Sequence, residues 1–328
     1  MNENLKPARK AFSRMGLALV INMVVGVVLQ LLWTLIPLLL WGKEHWMIST
    51  PTGTLLGSVL SIYLFGTLLG LLILGTIPKE VPQDNKLSGK QFWMALPIAY
   101  FFTYAGSLIG NTLSSLLSGG TAENPVVEMT TDVNILSVLV TVILAPLVEE
   151  YIFRKQIIDR TARYGEKTAV VFSALLFGLF HGNFFQFFYA FGVGLVLGYI
   201  YMRTGRLRYT IAIHAIINFF GGVVAPIISS IVDMEEMNSL ASSATPQEIV
   251  QFYARNLPGL MIYFMYVAVM LGVTVFGLIL LIKTLRNLTW KETSHQLPAG
   301  AGGKAAYLNG GVIVFFVICT FLFVLSLI

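Results

Sequence analysis

The chain has 328 residues, of which 56% are hydrophobic and only 11% charged, against roughly 25% charged in a soluble domain. Its net charge of +5 comes from Lys and Arg in short segments between long apolar blocks. That pattern excludes the basic stripe of a nucleic-acid-binding face and points to membrane topology. The single cysteine, Cys319, excludes a disulfide framework and a thiolate metal site.

A helix needs about 20 apolar residues to cross roughly 30 Å of hydrocarbon. Read on that scale, the chain contains nine candidate spans: Leu17–Leu40, Leu55–Ile77, Phe92–Leu117, Ile135–Phe153, Thr168–Gly182, Phe185–Tyr201, Tyr209–Val232, Leu260–Ile282 and Leu308–Ile328. The N-terminal Lys6, Arg9, Lys10 and Arg14 resemble the start of a signal peptide. The apolar run behind them is too long and lacks a small-residue cleavage site, so it reads as an uncleaved first span. No internal repeat or soluble domain is evident, and residues 1–328 read as a single membrane domain.

Loop charges check the count. The second loop carries Lys79, Lys86 and Lys90. The fourth carries Arg154, Lys155, Arg160, Arg163 and Lys167. The sixth carries Arg203, Arg206 and Arg208, and the eighth Lys283, Arg286, Lys291 and Lys304. The intervening loops are not basic: the first sets Lys43 against Glu44, the third (118–134) has no Lys or Arg, and the fifth is an uncharged turn. The seventh sets Arg255 against Asp233, Glu235, Glu236 and Glu248. This alternation places the N-terminus in the cytoplasm. The fifth span, Thr168–Gly182, is short. If it ends inside the protein, the count falls towards eight and the Gly182–Asn183 turn lines an interior cavity. Thr245-Pro246-Gln247-Glu248 forms a capping box, predicting a short helix on the outer surface. The Gly-rich stretch Pro298–Gly303 reads as a flexible loop.

Ionisable groups at membrane depth are costly and need a reason. Here they cluster in one part of the chain. Glu149 and Glu150 end the fourth span, His181 ends the fifth, and His214 and Asn218 lie within the seventh, whereas His45 and His295 fall in loops. Glu150 and Arg154 are four apart and can pair on one helical face. Glu149, rotated by about 100°, is left to face something else. His214 and Asn218 share a face, and Phe177 can pack beside His181. A carboxylate, two imidazoles and an amide make a hydrolytic site: glutamate as general base for water, with two readings of the histidines. They could hold a metal such as zinc, with Glu149, His181 and His214 as ligands. Alternatively, one could assist the base while the other joins Asn218 in stabilising an oxyanion.

The run Glu149-Glu150-Tyr-Ile-Phe-Arg154 fits an EExxxR motif, Phe177-Gly-Leu-Phe-His181 an FxxxH motif and His214-Ala-Ile-Ile-Asn218 an HxxxN motif. Together, over about Leu144 to Gly222, they resemble the CAAX prenyl protease and bacteriocin-processing (CPBP, or Abi) family. The apolar runs predict an all-α, polytopic membrane bundle of eight or nine spans, and the resemblance implies that it lies in the cell membrane. It also implies an intramembrane endopeptidase, described in that family as glutamate-type or metallo-type, active in peptide maturation or bacteriocin self-immunity. By position, Glu149 resembles the catalytic base, His181 its helper, and His214 with Asn218 the oxyanion pair. Glu150, Arg154 and Phe177 look supportive. The implied partners are the lipid bilayer and a peptide or membrane-protein substrate, with no nucleic acid.

Depth raises one difficulty. At 1.5 Å per residue, Glu149 lies about 8 Å from Arg154 and His214 about 9 Å from Arg208, but His181 lies about 21 Å from Lys167. Two other functions compete. A proton- or ion-coupled transporter would also use intramembrane Glu and His, though the paired repeats of transporters are missing. A silent scaffold would not need the intact Glu149, His181, His214 and Asn218.

Overall fold

The computed structural model describes residues 4–82, 84–130, 133–233, 236–237, 239–240 and 245–328; Glu235 lies outside them. Among the described residues the architecture is all-helical, with no strand. The principal helices are α1 (Leu5–Trp41), α2 (Pro51–Leu74), α3 (Gly89–Ser118), α4 (Ile135–Tyr164), α5 (Glu166–Phe180), α6 (Phe184–Thr204), α7 (Leu207–Ser229), α8 (Pro246–Arg286), α9 (Ala301–Tyr307) and α10 (Gly310–Leu325). Their starts are written in the sequence. Ser88, Asn183, Thr245 and Asn309 each accept a backbone N–H at the head of a helix, satisfying donors that would otherwise lack partners.

Seven of these helices are long and apolar enough to cross a membrane. The α9–α10 pair, bent by 64°, forms an eighth candidate. The protein is therefore a multi-pass membrane protein. The expected ninth full crossing is corrected: α5 has 15 residues, a rise of about 22 Å, short of the hydrocarbon thickness. It is the short arm of a hairpin with α6, and its closing Gly182 adopts φ +68° and packs on Leu322 of α10.

Two local expectations also change. The Thr245–Glu248 capping box exists, but it opens no separate short helix. The helix continues for 41 residues through Pro258 to Arg286, because apolar residues resume directly after the first turns. The Gly-rich stretch after Pro298 is not an open loop throughout. From Ala301 it coils into α9, where Gly302 lies buried against Thr168.

Glycines set the closest approaches between helices. A Cβ on Gly106 or Gly110 of α3 would stand 2.4 Å from backbone atoms of Tyr189 or Phe184 in α6. Gly16 of α1 and Gly311 of α10 meet the opposing backbone in the same way. Small residues of this kind let membrane helices pack by van der Waals contact, since lipid gives them no hydrophobic driving force.

The basic segments gather on one face. Arg203 pairs with Glu166 at 2.8 Å and donates to the Thr289 carbonyl. Arg206 pairs with Asp84, holding that carboxyl below its ordinary range, and Asn85 donates to the Arg203 carbonyl at 3.2 Å. Ser294 donates to Glu80 at 2.7 Å, His295 lies against Arg163, and Arg14 reaches Thr76. The second, fourth, sixth and eighth connections thus touch one another beside the N-terminus, as their alternating charge requires.

Candidate active site in the membrane helices

The site is built where α4 meets α2, α5 and α7. Irregular helical turns frame it. The ladder widens to i→i+5 bonding at Val59–Gly66 in α2, at Leu139–Leu144 and Tyr151–Ile158 on either side of the glutamates, and at Phe220–Val224 just after Asn218. Such stretches recur at functional sites because they re-aim side chains and free carbonyls. Thr141 illustrates this: its carbonyl accepts from Asn218 Nδ2 at 2.9 Å.

Glu150 and Arg154 are fully buried and paired. Arg154 Nη2 donates to Glu150 Oε1 at 3.2 Å, while Nε approaches Oε2 at 3.0 Å without hydrogen-bond alignment. The guanidinium also donates to Ser173 Oγ at 3.2 Å and sits 4.9 Å over the Phe177 ring. His214 Nδ1 donates to Glu150 Oε1 at 3.0 Å. This carboxylate therefore accepts two hydrogen bonds on Oε1 and has its charge compensated by the guanidinium beside Oε2.

Glu149 points elsewhere, as the helical rotation predicts. Its Oε1 accepts from the Tyr63 hydroxyl of α2 at 3.0 Å, and its Oε2 lies 3.7 Å from His214 Nε2. The side chain keeps 14% of its surface exposed, against 0% for Glu150. His214 thus spans the two carboxylates with its two ring nitrogens, a link the spacing of the motifs does not reveal.

His181 caps α5. Its Nδ1 lies 2.8 Å from the Phe177 carbonyl, which can only accept. A proton therefore sits on Nδ1, which leaves Nε2 to present a lone pair when the imidazole is neutral. Phe177 joins the two histidines edge-on, with ring centroids 5.0 Å from His181 and 5.8 Å from His214. The depth difficulty closes here, since both imidazoles rest on one ring. His181 has no ion-pair contact with either glutamate, and Asn218 is tied to Thr141 rather than to His214. Asn183 is a turn residue that caps α6, and Gln186 donates to Tyr189 Oη at 3.0 Å.

Among the described residues no three His, Cys, Asp or Glu side chains are grouped closely enough to hold a metal ion. The trio Glu149, His181 and His214 does not converge as ligands would.

Tyr63, Ser173 and Thr141 are the participants that motif reading misses. Tyr63 carried a usable signal: a hydroxyl in the apolar run Val59–Phe65 requires a buried partner. Thr141 carried none, because its contribution is a carbonyl freed by local helix geometry.

The fold and this cluster define a class: a multi-pass helical membrane protein with a paired-glutamate, two-histidine core. Residues 131–220 match the family described as type II CAAX prenyl endopeptidase, Rce1-like, and the three motifs fall inside that stretch. The segment bearing the site is thus similar to the core of that family. Over 158 residues the chain is 30% identical to "Putative membrane peptidase YdiL" of Bacillus subtilis (strain 168), a match covering 46% of this chain. It spans 64% of that relative, under two thirds of its length. No solved structure matches the chain.

Proposed function

We propose that this protein is an intramembrane endopeptidase that uses Glu149 as a general base. The observation that carries the reading is the unequal environment of two adjacent carboxylates. Glu150 is engaged by Arg154 and His214, whereas Glu149 is restrained by Tyr63 and partly exposed. One carboxylate is fixed for structure and its neighbour is left available for chemistry.

In this mechanism Glu149 takes a proton from a water that the Nε2 lone pair of His181 helps to orient. The hydroxyl oxygen bonds to the scissile carbonyl carbon, and the carbonyl oxygen becomes an oxyanion. The amide N–H of Asn218 not committed to Thr141 stabilises that charge. His214 adds an Nε2–H donor when protonated. Collapse breaks the C–N bond, and Glu149 returns its proton to the leaving amine. Substrate enters as an unfolded segment from the bilayer. The Rce1-like match favours substrates carrying a hydrophobic anchor. Peptide maturation and bacteriocin self-immunity are both roles for such a peptidase.

The test is cleavage by purified protein in proteoliposomes, using membrane-anchored peptides and mass spectrometry of the new termini. Chelator is present or absent, and metal content is measured in wild type and His181→Ala. Cleavage that survives chelation in metal-free protein supports the glutamate mechanism. Stoichiometric zinc lost in His181→Ala, with chelator-sensitive cleavage, would replace it with a metallopeptidase. No cleavage of any anchored peptide would remove the peptidase reading.

A further inference from the structure

The polar residues at the head of α1 form one continuous helical stripe: Lys6, Arg9, Lys10, Ser13 and Arg14, at spacings of three and four residues. The opposite face, with Ala8, Phe12 and Met15, is fully buried. The stripe opens into a groove of about 330 Å³ whose other wall is Asn309 and Gly310, the start of α10. Among the described residues none of these four cations has an acidic partner; the ion pairs of the molecule lie elsewhere. Like charges three and four apart on a helix repel one another, so an anion seated on the stripe would be stabilised.

The head of α10 adds to that demand. Ser13 Oγ accepts from Gly311 N, and Asn309 accepts from Val312 N and Ile313 N. The Gly310 N–H, at the edge of the groove, is left over at the positive end of a 16-residue helix. Further along the same face of α10 lies a second, apolar groove of about 460 Å³, lined by Ile313, Phe316, Val317, Thr320, Phe321 and Val324. Gly310, Ile313, Val317, Thr320 and Val324 follow one another at helical spacing, so the apolar groove descends into the membrane from the basic one.

We infer that this paired groove binds an anionic phospholipid, its phosphate against Lys6, Arg9, Lys10, Arg14 and the head of α10, and an acyl chain along Ile313–Val324. Charge selects the headgroup, and the apolar track selects a lipid over a free phosphate. Basic pockets at the edge of membrane helices bind anionic headgroups by the same physics. The groove is independent of the proposed chemistry, because none of its lining residues belongs to the Glu149, His181, His214 and Asn218 cluster.

The experiment is native mass spectrometry of the full-length protein in detergent, with phosphatidylglycerol, phosphatidylcholine or inorganic phosphate added. The expected result is at least tenfold more phosphatidylglycerol than phosphatidylcholine retained, with no competition from phosphate. Retention should be lost in the K6Q/R9Q/K10Q/R14Q variant and kept in K283Q/R286Q, which removes cations from another segment on the same face. Removing four cations also weakens the topology signal. A second variant, Val317→Trp, therefore keeps every charge and fills the apolar groove; it should lower retention at least fivefold. Equal retention of the two lipids, displacement by phosphate alone, or undiminished binding to Val317→Trp would each overturn the inference.

Discussion

At the residue scale, two neighbouring glutamates differ because the α-helix turns by about 100° between them. Glu150 meets Arg154 and His214; Glu149 meets Tyr63. Arg154→Ala leaves a fully buried carboxylate without its cation. Such a break costs about 3–5 kcal/mol, so unfolding of the variant in mixed micelles should begin at markedly lower denaturant. Tyr63→Phe keeps the ring and removes one donor to Glu149. A hydrogen bond to a charged group is worth about 1.5–3 kcal/mol. The expected outcome is a roughly ten- to hundred-fold lower kcat with little change in KM, read in the proteoliposome assay. Residue types and motif spacing single out Glu149, Glu150, Arg154, Phe177, His181, His214 and Asn218 as candidates, because polar groups in apolar runs and the residues spaced with them stand out. Tyr63 stands out as a hydroxyl in an apolar run, but its partner stays hidden because it lies 86 residues away and no local pattern encodes a contact between helices.

At the scale of elements, apolar length and capping chemistry locate most helices to within several residues. The errors have physical causes. The first helix begins at Leu5 rather than Leu17, since a charged stripe on one face does not interrupt a helix whose other face is buried. The helix from Thr245 runs on to Arg286, because one proline costs a local bond without ending a strongly apolar helix inside a bundle. Close packing through glycine is the element-level device most open to test. Gly106→Val would drive two methyl groups towards backbone atoms of Tyr189, which cannot yield as a flexible side chain can. A loss of about 1–3 kcal/mol is expected from such overpacking, measured as a lower melting temperature of the solubilised protein. Gly272→Val, where a Cβ meets nothing within 4 Å, is the neutral control.

At the scale of the whole molecule, the alternation of basic and non-basic loops anticipates which connections meet. Contacts among Glu80, Arg163, Arg203, Thr289, Ser294 and His295 fasten the basic connections into one face. The short α5 is consistent with this plan, since it and α6 leave that face and return to it as one hairpin. Sidedness follows directly. The native Cys319 is buried, so cysteines introduced one at a time can report on topology. Lys79→Cys, Arg206→Cys and Lys291→Cys should react with a membrane-impermeant thiol reagent from the cytoplasmic side, and Lys43→Cys and Glu123→Cys from the opposite side. Labelling of Lys79→Cys and Lys291→Cys from different sides would break the arrangement.

In the proposed reaction Glu149 is the base and Glu150 is not. The most direct measurement is single-turnover cleavage of an anchored peptide by wild type and Glu149→Gln, both checked for the same melting temperature. Glu149→Gln should be as stable as wild type, bind the peptide and leave it intact, with cleavage reduced at least a thousandfold. A folded Glu149→Gln protein that cleaves at a rate near wild type would contradict that role.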